Sequence, residues 1–499
     1  MNIQTFNISY RAVLLISAIS LLFAMFSGCN GQKKLVRDIQ QSRQKRYEAL
    51  VRLNGQEEKS DWQVLSGPLN INECIELALR YNKDVQAAKL KLLEAKGEMI
   101  GAVSTALPKA DFTGSAMRND NSSIFGSQKE TYELQLLVRQ PLYLGGLIGT
   151  ALDAARVFTY QKQQELRQTI QIVQLEVRQK YNAALLTEEL VEVSIQEQRD
   201  ATKLLGDTQI QLRHGVATRY DVLRAEVRLN AVEARLIRQQ NEAQIALTRL
   251  LDVLGVSQGS QAKLTDKLTY EPIEAASSQC LEIAMKQRPD LLIGEAMVRL
   301  MKDNVAAEKA GNRPKVYLQG MYMRGYPGFA ASFPSFGGNE EDGGDGFLNF
   351  DNKKIWERTM SGGIVVEWPF FNGLATHGRV IKAKALHQQQ QVTLRKLEQQ
   401  CQLEITQALL NLQSSEKFVL SQQGNVTNAE EALRLAQVGF REGTISSLDV
   451  ISSELALALA RSNYHQAVYD YRLARLSLNA ALGTLGEQPI PQKTEVTEK

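Results

Sequence analysis

Residues able to do chemistry are few in this chain, and their spacing argues against catalysis. The four histidines, His214, His377, His387 and His465, form neither H-E-x-x-H nor another metal-ligating spacing. No phosphate-cradling glycine loop and no nucleophile elbow occurs. Met321 and Met323 lie at i and i+2 on one strand face, where two thioethers suit a soft metal; filling a barrel or core is the plainer reading. Cys74, Cys280 and Cys401 make no disulfide framework and read as buried small apolar residues. With 58 basic and 55 acidic residues the net charge is +3, which gives no electrostatic case for nucleic acid. The chain is therefore expected to be no enzyme and to carry neither cofactor nor metal. Two acids stand out by their shared context. Asp221 closes Thr218-Arg219-Tyr220-Asp221 and Asp449 closes Ser446-Ser447-Leu448-Asp449, both of the capping-box form.

That shared context belongs to a long internal repeat. Residues 213–255 reappear at 441–483 with a constant offset of 228 and no gap. Gly215 falls on Gly443, Asp221 on Asp449, Glu226 on Glu454 and Gly255 on Gly483; 10 of the 43 positions are identical. The stripe Leu229, Val232, Leu236, Ala243, Ala246, Leu250 maps onto Leu457, Ala460, Tyr464, Tyr471, Ala474, Leu478, a helical spacing in both copies. A period this long marks a duplicated half and not a short-repeat solenoid. Upstream of each copy comes a segment without Gly or Pro for most of its length. One runs from residue 146 to about 212, and a counterpart covers 379–423. The first would be a helix of about 100 Å. Ile170, Val173, Val177, Tyr181, Ala184, Val191 and Ile195 form one stripe on it, and Ile172, Leu175, Leu186, Leu190 and Val193 a second. Two stripes call for neighbours on two sides, as for a stave in a wall.

Each half opens with a helix. In the first this is residues 72–103, and its counterpart starts 206 residues later, Cys74 against Cys280 and Asp84 against Asp290. Pro108 and Pro314 end these helices. Strands follow at about 108–118 and 131–140, and again at about 314–323 and 359–368. Tyr132, Leu134, Leu136 and Val138 alternate with Glu133, Gln135 and Arg139, and Met360, Ile364, Val366 and Trp368 with Ser361, Gly363 and Glu367. An apolar face and a polar face over about 10 residues is the pattern of transmembrane β-strands and of half-buried soluble ones alike. The offset grows from 206 to 228 within the second half, which places a 22-residue loop insertion within residues 325–357. Its GGDGFLNFD stretch, residues 343–351, has a calcium-nonapeptide pattern in one unstacked copy and reads as surface loop. Four strands cannot sit in a bilayer with open edges, so a membrane reading requires several chains to pool them.

At the N-terminus, Arg11 precedes the apolar residues 12–26, which end in Ser27-Gly28-Cys29-Asn30. This resembles a bacterial lipoprotein signal, with export logic of a positive flank, a short apolar stretch and small residues at the cut. The resemblance implies cleavage after residue 28 and lipidation of Cys29, with Asn30 fitting sorting to the outer membrane. The organisation expected is a signal peptide at 1–28, a lipid-anchored tether at 29–67, repeats at 68–260 and 261–485, and a disordered tail at 486–499.

The chain as a whole resembles the outer-membrane efflux protein (TolC-like) family over residues 68–485. The marks are Ala78-Leu79-Arg80-Tyr81-Asn82-Lys83-Asp84, then Leu107-Pro108-Lys109, the Q-P-L-x-x-G-G entry from Gln140 to Gly146, and the G-x-x-[ST]-x-x-D-V-[LI] pattern at both tips. The resemblance implies a mainly α protein with a membrane β-barrel, in which duplicated halves of a homotrimer form a 12-stranded barrel continued by a helical tunnel. It implies a periplasmic adaptor and an inner-membrane pump as partners at the helical tips, outer-membrane lipid around the barrel, and a passive exit role in efflux or type I secretion. A periplasmic coiled-coil adaptor or scaffold without a pore is the alternative. The family's gate pattern falls on Asp221, Asp449 and Ser452; Ser452 stands where a second acid is usual, and Arg224 replaces the later acid of the first tip. Adaptor contacts fall on Arg213, Gly215 and Val216 at one turn and Phe440, Arg441, Gly443 and Thr444 at the other. Trp368, Phe370 and Phe371 suit an aromatic girdle at a membrane interface, or packing where the barrel meets the helices.

Overall fold

The computed structural model describes residues 37, 39–45, 66–118, 130–257, 259–273, 277–326 and 356–485. Cys29, the signal peptide, most of the tether, the loop insertion with its nonapeptide pattern and the C-terminal tail lie outside them. The chain divides into two units, Met1–Gly67 with Val256–Ala262, and Pro68–Gly255 with Lys263–Lys499. The second carries all of the helices and strands described next, apart from parts of a two-stranded sheet formed by β1 (Ser66–Leu69) and β4 (Gln261–Leu264).

Helix α1 (Ile71–Tyr81) starts in a capping box: the Asn70 side chain accepts from Glu73 N at 2.9 Å and Glu73 Oε2 accepts from Asn70 N at 3.0 Å. The sequence predicts one helix through this region, but the structure breaks it at Asn82. Asn82 is extended, with φ −60 and ψ 132, and its Oδ1 caps α2 (Lys83–Ser104) by accepting from Asp84 N at 2.8 Å and Val85 N at 3.3 Å. Its Nδ2 donates to Val253 O at 2.9 Å, so the break is fixed by a helix far away in sequence. The second half breaks at the same place. Helix α5 (Ser277–Gln287) gives way to α6 (Pro289–Lys309) at Arg288, with Pro289 in the first turn, where its missing N–H costs nothing.

The long helices α3 (Leu147–Arg213) and α7 (Ala375–Arg441) each hold 67 residues, and their return helices α4 (Arg219–Leu254) and α8 (Ser447–Leu482) each hold 36. The observed α7 exceeds the segment expected from the sequence at both ends. Val173, Val177, Tyr181 and Ala184 of the first α3 stripe are buried, whereas Ile172 of the second is 56% exposed. Helix α3 packs against α2 and α4 of its own half and against α6 and α8 of the other, and α7 packs against α6 and α8. Glycines close both return helices in the left-handed region, Gly255 at φ 74 and Gly483 at φ 70. A Cβ on Gly255 would stand 2.7 Å from Tyr81 O, and one on Gly483 would stand 2.9 Å from Arg288 Cα. Each return helix thus ends against the break in its own half's opening helix. Cys74, Cys280 and Cys401 are free and fully buried, as expected.

Four strands form one antiparallel sheet in the order β2 (Lys109–Arg118), β3 (Glu130–Leu144), β5 (Lys315–Tyr326), β6 (Glu357–Glu367). The pairing of β3 with β5 joins the two halves. Strand β3 runs four residues past the predicted end, accommodating Pro141 through a register shift between Pro141 and Tyr143.

Candidate functional site

Because side chains alternate along a strand, the register sorts the sheet into two faces. One row runs Phe112, Leu136, Tyr322, Met360 across all four strands; another runs Ala110, Val138, Gly320, Gly362. With Leu134, Leu318, Ile364 and Val366 these make an apolar face, and it is exposed: Phe112 71%, Met360 86%, Ile364 67%. The opposite face carries Asp111, Thr113, Glu133, Gln135, Arg139, Gln319, Ser361 and Glu367. There Arg139 bridges to Glu367 at 2.6 Å and lies 3.7 Å over the Tyr317 ring. Met321 and Met323 lie on this polar face, and Met321 Sδ accepts a hydrogen bond from Gln135 Nε2 at 3.2 Å.

Aromatic residues bound the apolar face at both ends. Far from the long helices, Tyr326 stands between Tyr132, at 6.3 Å, and Trp356, at 5.5 Å. At the helix end, Trp368 packs edge-on to Phe370 at 6.5 Å and donates from Nε1 to Asn312 O at 3.2 Å. Trp368, Phe370 and Phe371 are all at least 62% exposed. Their rings are therefore not consumed by packing within this chain. The second aromatic group, Tyr132, Tyr326 and Trp356, went unread in the sequence because its members come from β3, from β5 and from the residue before β6.

At the opposite end of the long helices lie the two tips. In the first, Arg213 ends α3, Gly215 takes φ 77 and Thr218 caps α4. In the second, Arg441 ends α7, Gly443 takes φ 74 and Ser446 caps α8. Both aspartates do serve as caps. Asp221 Oδ2 accepts from Thr218 N at 2.9 Å and Oγ1 at 2.6 Å; Asp449 Oδ2 accepts from Ser446 N at 3.2 Å and Oγ at 2.7 Å. The structure also brings the tips together, since Ser447 Oγ donates to Asp221 Oδ1 at 3.3 Å. Hydrogen bonds from Thr218, its side chain first, and from Ser447 hold the Asp221 carboxyl below the usual carboxylate range.

Arg213, Gly215, Val216, Arg441, Gly443, Thr444, Asp449 and Ser452 are exposed. Phe440 is not, and this corrects its reading as a surface contact. It is 8% exposed and packs in a cluster with Leu204, Leu433, Ala436, Val450 and Leu457. One more residue explains the turn's shape: a Cβ on Gly439 would stand 2.6 Å from Ile445 Cδ1, so this glycine lets Ile445 fold back onto α7.

A buried charged cluster beside the tips was not read from the sequence. Glu197 of α3, 6% exposed, accepts hydrogen bonds from Arg228 and, at 3.2 Å, from Arg235, both on α4. Glu454 of α8 is 5% exposed, and its Oε2 has no hydrogen-bond partner. The only sequence signal was that Glu454 is one of the ten identical repeat positions.

Known proteins resemble this chain along most of its length. PrtF of Dickeya chrysanthemi, a proteases secretion protein, is 24% identical over 445 residues, covering 85% of this chain and 90% of PrtF. SilC of Salmonella typhimurium, a probable outer membrane lipoprotein, is 20% identical over 415 residues, covering 83% and 85%. Among solved structures, that of the transmembrane channel CusC superposes with a TM-score of 0.69 at 19% identity, covering 86% of this chain and 95% of CusC. The sequence model for outer membrane efflux proteins matches residues 74–256 and again 280–484. The chain, with its exposed apolar sheet at one end of paired long helices and two capped turns at the other, belongs to the outer membrane efflux protein family and is a transport component, not an enzyme.

Proposed function

We propose that three copies of this chain close their sheets into one 12-stranded barrel in the outer membrane and continue it as a helical tunnel into the periplasm. The apolar face running in register across all four strands is the observation that carries this reading. A lone sheet would leave the outer edges of β2 and β6 with unpaired backbone groups in hydrocarbon, and closure between chains removes those edges. Trp356 and Trp368 stand twelve positions apart along β6 and its flanks. That is about 40 Å of strand, or about 28 Å of height at a tilt of about 45°, close to the apolar thickness of a bilayer. The polar face then lines the lumen. Exposed apolar residues on the long helices, among them Ile172, Val392, Leu410 and Phe418, become contacts between neighbouring staves.

The protein works as a passive exit duct for efflux or secretion, with an inner-membrane pump supplying the work and a periplasmic adaptor docking at Arg213, Gly215, Val216, Arg441, Gly443 and Thr444. Cys29, once lipidated, anchors it to the outer membrane. Asp449, exposed at the second tip, forms a ring of three like charges that narrows the entrance and favours cations. Capping and gating are compatible, because one carboxylate oxygen serves Ser446 while the other stays available. Single-channel conductance in a planar bilayer, wild type against Asp449→Ala, tests the reading. A small cation-selective conductance that rises on substitution is expected. Trimers without conductance in both proteins, even with the tips removed by proteolysis, would refute the duct.

A further inference from the structure

The cluster beside the tips contains a carboxyl group that capping, packing and docking do not use. Glu454 projects from α8 into a cavity of about 30 Å³ lined by Asp200, Lys203, Leu204 and Asp207 of α3, Gln437, Phe440 and Arg441 of α7, and Val450. A space that small holds one or two waters and no larger ligand. It adjoins the apolar cluster of Leu204, Phe440, Val450 and Leu457, which is where the second tip is packed against α3.

We propose that Glu454 is a protonation latch: as a neutral acid it keeps the α7–α8 tip seated on α3, and once ionised it drives the two apart. The surroundings permit only the neutral form to sit comfortably. The side chain is 5% exposed, and Oε2 meets no donor. A carboxylate in that position gives up bulk water for at most the one or two waters the cavity holds, with no protein donor to Oε2 in exchange. On α3 it faces Asp200 and Glu197, both acidic; Lys203 and Asp207 line the same cavity. On α4 it faces Arg228, which already donates to Glu197, and α7 presents Arg441 at the cavity wall. Burial, and then the Asp200 carboxylate, push the Glu454 carboxyl up to about 7, with the attraction of Arg228 too small to reverse the shift. His465 lies further along the α3–α8 contact, 3.9 Å from Glu189, and burial holds its pKa below the ordinary histidine value. It is therefore neutral through the upper part of the window in which Glu454 titrates.

The sign follows from the raised value. The packed tip holds the Glu454 proton more tightly than the released tip does. Its contribution is complete below the ordinary glutamate range and declines as pH rises towards about 7. Added to the duct reading, this makes the entrance looser in mildly alkaline than in mildly acidic surroundings; the latch itself needs no pore.

The test uses full-length trimers with spin labels at Thr202→Cys on α3 and Ala456→Cys on α8, both exposed positions, and pulsed distance measurement at pH 5.5, 7 and 8.5. In wild type the distances should be short at pH 5.5 and gain a longer population by pH 8.5. In Glu454→Gln, which mimics the neutral acid, they should stay short throughout. Infrared spectra should show a protonated-carboxyl band near neutral pH that Glu454→Gln lacks. Distances that ignore pH in wild type, a Gln variant that opens like wild type, or absence of that band would each overturn the latch. Conductance of the same samples separates this outcome from failure of the duct, since a pore insensitive to pH removes the latch alone.

Discussion

A lysine placed on the apolar face of the sheet should cost far more than one placed on the polar face one residue away. Met360 and Ser361 are adjacent on β6, pairing with Tyr322 and Met321. Met360 is 86% exposed in the single chain, so its replacement removes little packing and reports almost purely on what lies outside the sheet. It stands four positions from Trp356 and eight from Trp368. At about 3.3 Å per residue and a tilt of about 45°, that is about 9 Å inside the apolar layer. A lysine at the midplane of a barrel costs about 2–4 kcal/mol and one at the interface about 0–1. At this depth Met360→Lys should therefore cost about 2 kcal/mol per chain. Ser361→Lys lies on the polar face, the lumen side of the proposed barrel, and should change stability by less than about 0.5 kcal/mol. The assay is the urea midpoint for folding into phosphatidylcholine vesicles, with heat resistance of the detergent-extracted oligomer as a second readout. Equal losses for the two variants, or a larger loss for Ser361→Lys, would refute the assignment of faces and with it the barrel.

Other outcomes follow from the same geometry. Phe440→Ala should destabilise the tip by about 3–5 kcal/mol, because it empties a buried site among Leu204, Leu433 and Val450; limited proteolysis should then cut near residues 441–446 before anything else. Gly483→Ala should lower the melting temperature, since it adds a left-handed strain of about 1 kcal/mol to a 2.9 Å overlap with Arg288. Gly97→Ala, inside α2 with open space around it, should instead raise stability by up to about 1 kcal/mol. The depressed pKa of Asp221 stabilises the first tip above the ordinary aspartate range, and that contribution should fade as pH falls below it. Hydrogen exchange of the amides at Asp221 and Val222 in acid would show the loss, and Thr218→Ala should remove most of the pH dependence.

Much of the site was legible because it is local. Capping boxes need four consecutive residues, so Thr218 with Asp221 and Ser446 with Asp449 could be placed without any fold. The strand faces were legible for the same reason: alternation has a period of two, and the register observed across β2, β3, β5 and β6 keeps every apolar residue of Leu134–Val138 and Met360–Val366 that the pattern singled out on one side. Phe440 was misread because a large aromatic beside a turn looks like a contact residue until Leu204 and Leu457, from other helices, are seen around it.

The sequence by itself determined the extent of α3, the turns between the long helices, the two-faced strands and the repeated order of elements, all properties of a few neighbouring residues or of one segment compared with another. Tertiary structure alone decided where the opening helix breaks, which is set by Asn82 reaching Val253, and that the two tips touch through Ser447 and Asp221. It also decided that Glu454 faces Asp200 across α3, where its carboxyl lies near neutrality. The two hydrogen bonds join residues 171 and 226 positions apart, and burial and electrostatic coupling exist only once packing has excluded the water between such residues.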